Sequence, residues 1–171
     1  MTARVSFLVI ASFAVVSLLG DSAAPKLLLW NDSASVPRGL YALHAARPLH
    51  VGELVAVQPP QQLSDFMAQR DYLPRGVPLL KHIAALSGHT VCRHQTSISI
   101  DSHLVAVAHD RDTQGRPLPV WAGCRTLRAG ELFLLNPAAP NSFDGRYFGV
   151  LSVRTIAARA EPLWTLQEHS R

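Results

Sequence analysis

The sequence predicts a mainly β fold, a sandwich or partly open barrel with few short helices, behind one N-terminal apolar segment. Three observations carry this expectation. Short apolar runs recur between Gly, Pro, Asn and Asp punctuation, twelve prolines leave little room for long helices, and a single stretch of the body has helical spacing. With 171 residues, 48% hydrophobic and 16% charged, the chain can build one compact core, and its composition is that of neither a disordered chain nor a multispan membrane protein.

Residues Val5 to Gly20 form the apolar start, sixteen residues without a charge between Arg4 and Asp21. At about 1.5 Å per residue this covers roughly 24 Å of helix, a little short of a hydrocarbon core of about 30 Å. A cleavable export signal needs small residues at −3 and −1; the best match, Ser22-Ala23-Ala24, runs straight into Pro25, which obstructs extended binding to a peptidase. An uncleaved anchor over residues 1–24 is therefore expected, with a β-rich domain over 25–171.

The expected strands follow in order. They are Leu27–Trp30, Leu40–Leu43, Leu54–Val57, Ile98–Ile100, Leu104–Val107, Leu132–Leu135 and Tyr147–Leu151. Ile98 to Val107 reads as a hairpin turning near Asp101-Ser102. Gln61 to Arg70 is the one expected helix, with Leu63, Phe66 and Met67 on one face.

The net charge is +4, but the 16 basic residues are dispersed, without a basic stripe or recognition motif, so no nucleic-acid partner is expected. Fourteen of the sixteen are arginine; the lysines are Lys26 and Lys81. Arginine cannot accept a proton near neutral pH, whereas a desolvated lysine can. The eight histidines show no ligand spacing and no cysteine at a zinc distance, which makes them surface groups; neither a metal nor another cofactor is expected. Cys92 and Cys124 can pair if the body lies outside the cytoplasm, closing a loop worth roughly 3 to 4 kcal/mol. The alternative is two buried thiols.

Three segments could carry chemistry. In the first, Asn31 to Tyr41, Ser33 and Ser35 sit between an apolar strand and a Pro-Arg-Gly turn, a rigid place to present a hydroxyl. In the second, Val77 to Val91, a strand would put Leu79, Lys81 and Ile83 on one face, so the amine lies in an apolar row. Desolvation disfavours the ammonium; bringing its pKa from about 10.4 to between about 7 and 8 costs roughly 3 to 5 kcal/mol. The plainer alternative is a lysine whose stem packs while its head snorkels to water. In the third, Asn136 to Gly149, Asp144 and Arg146 can pair across a turn.

Taken together and in this order, the segments resemble the signal peptidase I family, and more closely its conjugal-transfer, TraF-type branch. The carriers are Ser35 before Pro37-Arg38-Gly39-Leu40-Tyr41, Lys81 before a Gly88-containing turn and Val91, and Asn141, Ser142, Asp144, Arg146 and Gly149, with Phe148 in place of a tryptophan. The likeness spans Lys26 to Leu151. It implies a signal-peptidase-like β fold, Ser35 as nucleophile, Lys81 as general base, Ser33 as oxyanion support, Ser142 orienting the lysine, and Asp144 and Arg146 bracing the site. Ser35-Val36-Pro37 has one residue fewer before the proline than the housekeeping enzymes, which keeps Ser33 open as an alternative nucleophile. His89 stands where an aspartate is usual and Gly145 where a serine is usual.

The resemblance further implies a bacterial inner-membrane protein whose catalytic domain faces the periplasm. Its partners would be precursor proteins with small residues at −1 and −3, such as conjugative pilin subunits, and components of a conjugation or type IV secretion apparatus. Precursors would be cleaved or, in the conjugal branch, cyclised. Two alternatives stand beside this: a non-catalytic envelope module that keeps the fold for binding or assembly, and a self-cleaving Ser/Lys protein like the LexA-type repressors, against which the apolar start and the lack of a helix-turn-helix pattern count.

Overall fold

The structure, a computed structural model, describes residues 27–166. The expected anchor at residues 1–24 lies outside them; among the described residues no helix is long and apolar enough to cross a membrane.

Two antiparallel sheets make up the domain. The larger is built from β1 (Leu27–Asn31), β2 (Gly39–His44), β3 (Leu54–Val57), β4 (Leu79–Ala85), β9 (Glu131–Leu135), β10 (Val150–Ser152) and β11 (Ile156–Thr165), in the order β1-β2-β11-β3-β4-β9-β10. It ends at β1 and β10 without closing, so the mainly β, partly open architecture is as expected. The smaller sheet contains β5 (Thr90–His94), β6 (Ser97–Ile100), β7 (His103–Val107) and β8 (Gly123–Thr126), in the order β7-β6-β5-β8.

Side chains alternate as the pleat demands. On β4, Leu79 and Ile83 face a core formed with Val55, Val57, Met67, Leu132 and Leu134, while Leu80 faces the opposite cluster with Val36, Tyr41 and Ala56. Both faces of β4 are thus covered, which is what lets the strand carry a buried amine. Met67 reaches this core from α1 (Gln61–Gln69), the expected helix. The β6–β7 hairpin turns on Asp101 and Ser102 with φ of 48° and 70°, the left-handed pair that a two-residue turn of right-twisted strands requires.

One expected strand is corrected. Tyr147–Leu151 divides into a short helix, α2 (Gly145–Phe148), and β10. The cause is Asp144, whose carboxylate accepts from the Arg146 amide and caps a helical turn instead of letting the chain extend.

Cys92 and Cys124 are opposite each other on β5 and β8 and form a disulfide. His94 is close to both sulfurs, but the sulfurs are already spent on one another.

Candidate active site

A cavity of about 860 Å³ gathers all three segments: Ser33 and Ser35 line one wall, Lys81 another, and Ser142 a third. Each wall is set by local bonding that follows from the sequence.

The serine wall is organised by Asn31, at the end of β1. Its amide nitrogen donates to the carbonyls of Ser33, Val36 and Pro37, and its oxygen accepts from the Ser33 amide and hydroxyl. The chain is therefore coiled around one buried side chain. From the other side the Tyr41 hydroxyl donates to the Pro37 carbonyl at 2.5 Å. Gly39 cannot be replaced here: a Cβ would lie 2.1 Å from the carbonyl oxygen of Trp164, and its φ of 151° disfavours a side chain. In the resulting loop Ser33 and Ser35 present their hydroxyls 3.1 Å apart, Ser33 exposed and Ser35 half-buried.

The lysine wall is dry. Lys81 is 3% exposed, and its Nζ donates to the Ser142 hydroxyl at 3.0 Å. Burial drives its pKa from 10.5 down to about 8; the Asp144 carboxylate opposes this and the Arg146 guanidinium adds to it. Snorkelling to water is excluded by that burial. The backbone on either side of Lys81 is pinned by Asn136, which donates to the Leu80 carbonyl and accepts from the His82 amide.

Asp144 and Arg146 form the brace between these walls. The pair is buried, with Arg146 Nη2 2.8 Å from Asp144 Oδ2. Both groups are further bonded: Asp144 also accepts from the Asn136 and Arg146 amides, while Arg146 holds the carbonyls of Asn136, Ala139 and Pro140. This wraps residues 136–140 around the guanidinium and sets Ser142, whose amide donates to Ala139, against the lysine. All six residues singled out in the sequence are thus placed around one cavity or in its brace. Asn31 and Asn136 were missed as such, although each lies inside a segment that was singled out; an Asn at the end of an apolar strand before a Pro-containing loop is the signal that marks both.

Comparison with known proteins places the chain. A family model described as signal peptidase, peptidase S26, matches residues 1–164. The chain belongs to this family of serine peptidases, in its TraF-type branch. A conjugal transfer protein TraF of Agrobacterium fabrum is 32% identical over 94% of this chain and 92% of its own length. A probable conjugal transfer protein TraF of Sinorhizobium fredii is 32% identical over 79% of this chain and 76% of its length, and a plasmid transfer protein TraF of Escherichia coli 29% over 79% and 81%. A crystal structure of a signal peptidase I from Enterococcus faecalis aligns with TM-score 0.39 and 16% identity over 66% of this chain and 97% of that one, too distant to argue from.

The departures of this S26 chain from the motif have local causes. A Cβ on Gly145 would come within 2.5 Å of the Leu134 carbonyl and 2.7 Å of the Phe133 ring, so the usual serine has no room. At His89 the carboxylate comes from elsewhere: Asp101, from the β6–β7 turn, meets the imidazole at 2.6 Å and accepts the Thr90 amide at 2.8 Å. Phe148 packs edge-on against Phe143 at 5.9 Å.

Proposed function

We propose that this S26 peptidase is a membrane-anchored Ser/Lys endopeptidase that processes exported precursors in conjugation. The single observation that carries the proposal is the buried Lys81 amine, with its pKa near 8, in the wall of the cavity that also holds Ser35. A tenth or so of such an amine is neutral at pH 7, against roughly one part in three thousand for an ordinary lysine. Neutral Lys81 accepts the Ser35 proton as Oγ attacks the scissile carbonyl. The tetrahedral intermediate collapses, its C–N bond breaks and the leaving amine takes that proton from Lys81. The acyl-enzyme is then released by water with Lys81 again as base, or by an amine of the substrate with cyclisation. The Ser35 amide and the Ser33 hydroxyl meet the oxyanion. Ser33 is the weaker nucleophile because its hydroxyl proton is donated to Asn31; to meet the oxyanion, that proton must turn from the Asn31 oxygen to the developing charge.

Membrane anchoring is supported by the apolar Val5–Gly20 stretch of the sequence and by an apolar surface on the described domain. Trp30 on β1 and Trp164 on β11 flank Leu40 and stack at 6.1 Å, both more than half exposed, as is Leu28. Exposed tryptophans suit the bilayer interface. Only fourteen residues separate Gly20 from Ser35, which would keep the nucleophile near the membrane on the periplasmic side. The names of the transfer proteins it resembles support a role in conjugation; the substrates proposed for it are pilin precursors bearing small residues at −1 and −3.

Co-expression with candidate pilin precursors tests this. Ser35→Ala and Lys81→Arg are expected to leave the precursor unprocessed; normal processing by Lys81→Arg would remove the proposed base.

A further inference from the structure

Arg93 is a buried cation that the proposed chemistry does not use. It is 1% exposed on β5, in the small sheet; among the described residues no carboxylate forms a salt bridge with it, and the Asp110 charge reaches it only at longer range. Its donors go to main-chain carbonyls: Nε to Gln95 at 2.9 Å, and Nη1 to Arg146 at 2.5 Å and Pro119 at 3.4 Å. Burying a guanidinium without a counter-charge is costly, so a fold retains it where its rigid fork of donors is needed. One residue away along α2, the Trp121 indole donates to the Gly145 carbonyl at 2.9 Å and its ring lies against Gly149.

Arg146 is consequently held from both ends. Its carbonyl is gripped by Arg93, while its own guanidinium grips Asp144 and the carbonyls of residues 136, 139 and 140. That loop carries Ser142 to Lys81. The disulfide lies beside the grip: Cys92 precedes Arg93, Cys124 faces Cys92, Gly123 faces Arg93, and Trp121 is two residues before Gly123.

We propose that Arg93 and Trp121 are positioning residues of the peptidase site, a clamp from the small sheet that fixes α2 and so holds Ser142 against Lys81, with the Cys92–Cys124 disulfide setting the clamp. The proposal rests on Lys81 being the base. It makes the small sheet a part of the catalytic apparatus: loosening the clamp admits water to the amine and returns it toward the ammonium form. Charge reaches Lys81 from Asp144 and Arg146, and the cavity wall adds Asp32, Tyr72, His109, Arg111, Asp112 and Tyr147. Arg93 is coupled to Tyr147 and Asp110, so Arg93→Met also removes a charge behind the wall, whereas Trp121→Phe leaves every charge in place and isolates the clamp.

The test is the titration of the lysine side chains in the full-length protein, labelled with 13C at lysine Cε, in wild type, Arg93→Met and Trp121→Phe, and in wild type after reduction of the disulfide. Lys26→Arg assigns the two resonances. The expected result is a Lys81 midpoint about one unit higher in Arg93→Met, and a smaller rise in Trp121→Phe and on reduction. A one-unit rise lowers the neutral fraction at pH 7 about tenfold, so precursor processing should fall tenfold there and recover above pH 9. Lost thermal stability with an unmoved Lys81 midpoint would overturn the clamp while leaving the base intact. A wild-type midpoint above 10 would instead remove the base itself and the clamp with it. If Arg93→Met does not fold, Trp121→Phe carries the same two outcomes.

Discussion

The two halves of the site are built in opposite ways. Around Lys81 the polar side chains Asn136, Ser142, Asp144 and Arg146 are buried and hydrogen-bonded, from Asn136 on the backbone to the Asp144–Arg146 pair behind Ser142. Around Ser35 the hydroxyls are reachable from solvent, and order comes mainly from Asn31 at the foot of the loop, with the Tyr41 hydroxyl on the Pro37 carbonyl. The difference follows from their proposed tasks. A lysine is a base at neutral pH only while water is kept from it, whereas a nucleophile must meet a substrate arriving from outside. Dry, over-determined packing belongs to the first and a braced but open loop to the second.

Variants of each half should therefore fail differently. The largest effect is expected from Lys81→Arg, which keeps charge and much of the volume yet removes the proton acceptor; processing should drop about 10³-fold or more, read by precursor conversion. Asp144→Ala should come next, costing about 3 to 5 kcal/mol in urea unfolding because it strands the Arg146 guanidinium in the interior.

Lys81→Met sharpens the contrast in the other direction. The folded pKa lies below the unfolded one, so the unfolded chain binds more protons between about pH 8 and 10.5 and wild-type stability rises with pH across that window. Below it the folded state carries the whole cost of protonating a buried amine. The inactive methionine variant should accordingly be more stable than wild type at pH 7, by up to about 3 kcal/mol, and the advantage should shrink toward pH 10.5.

The smallest stability effect is expected in the serine half. Asn31→Ala frees the loop from its anchor and should cost about 1 to 2 kcal/mol of stability in urea unfolding, less than Asp144→Ala costs. Its processing defect should persist at high pH, because the lysine is untouched. If that defect were instead relieved at pH 9, the two halves would not be separable.

The sequence showed the β class, the β6–β7 hairpin, α1 and the apolar row around Lys81, because each rests on local alternation or turn chemistry. It hid β11, the ten-residue strand between β2 and β3. There Ala158 and Ala160 supply the buried positions, Pro162 interrupts the run, and a register shift falls between Pro162 and Trp164, so the pattern reads as irregular. The exposed β8 likewise has no apolar signal. In the site, what pointed to the serine, lysine and brace segments was their joint resemblance, in that order, to the signal peptidase family; the apolar row around Lys81 alone fitted a snorkelling lysine equally well. The roles of Asn31, Asn136 and Arg93 were not legible, because each acts through main-chain carbonyls brought near by long-range pairing.

The most direct test of the central claim follows acylation of Ser35 by a small serine-directed acylating agent, measured by intact mass from pH 6 to 10. The rate should rise with a midpoint near pH 8 in wild type and be lost in Lys81→Arg. A rate that ignores pH through this window, or that survives in Lys81→Arg, would contradict the assignment of Lys81 as the base for Ser35.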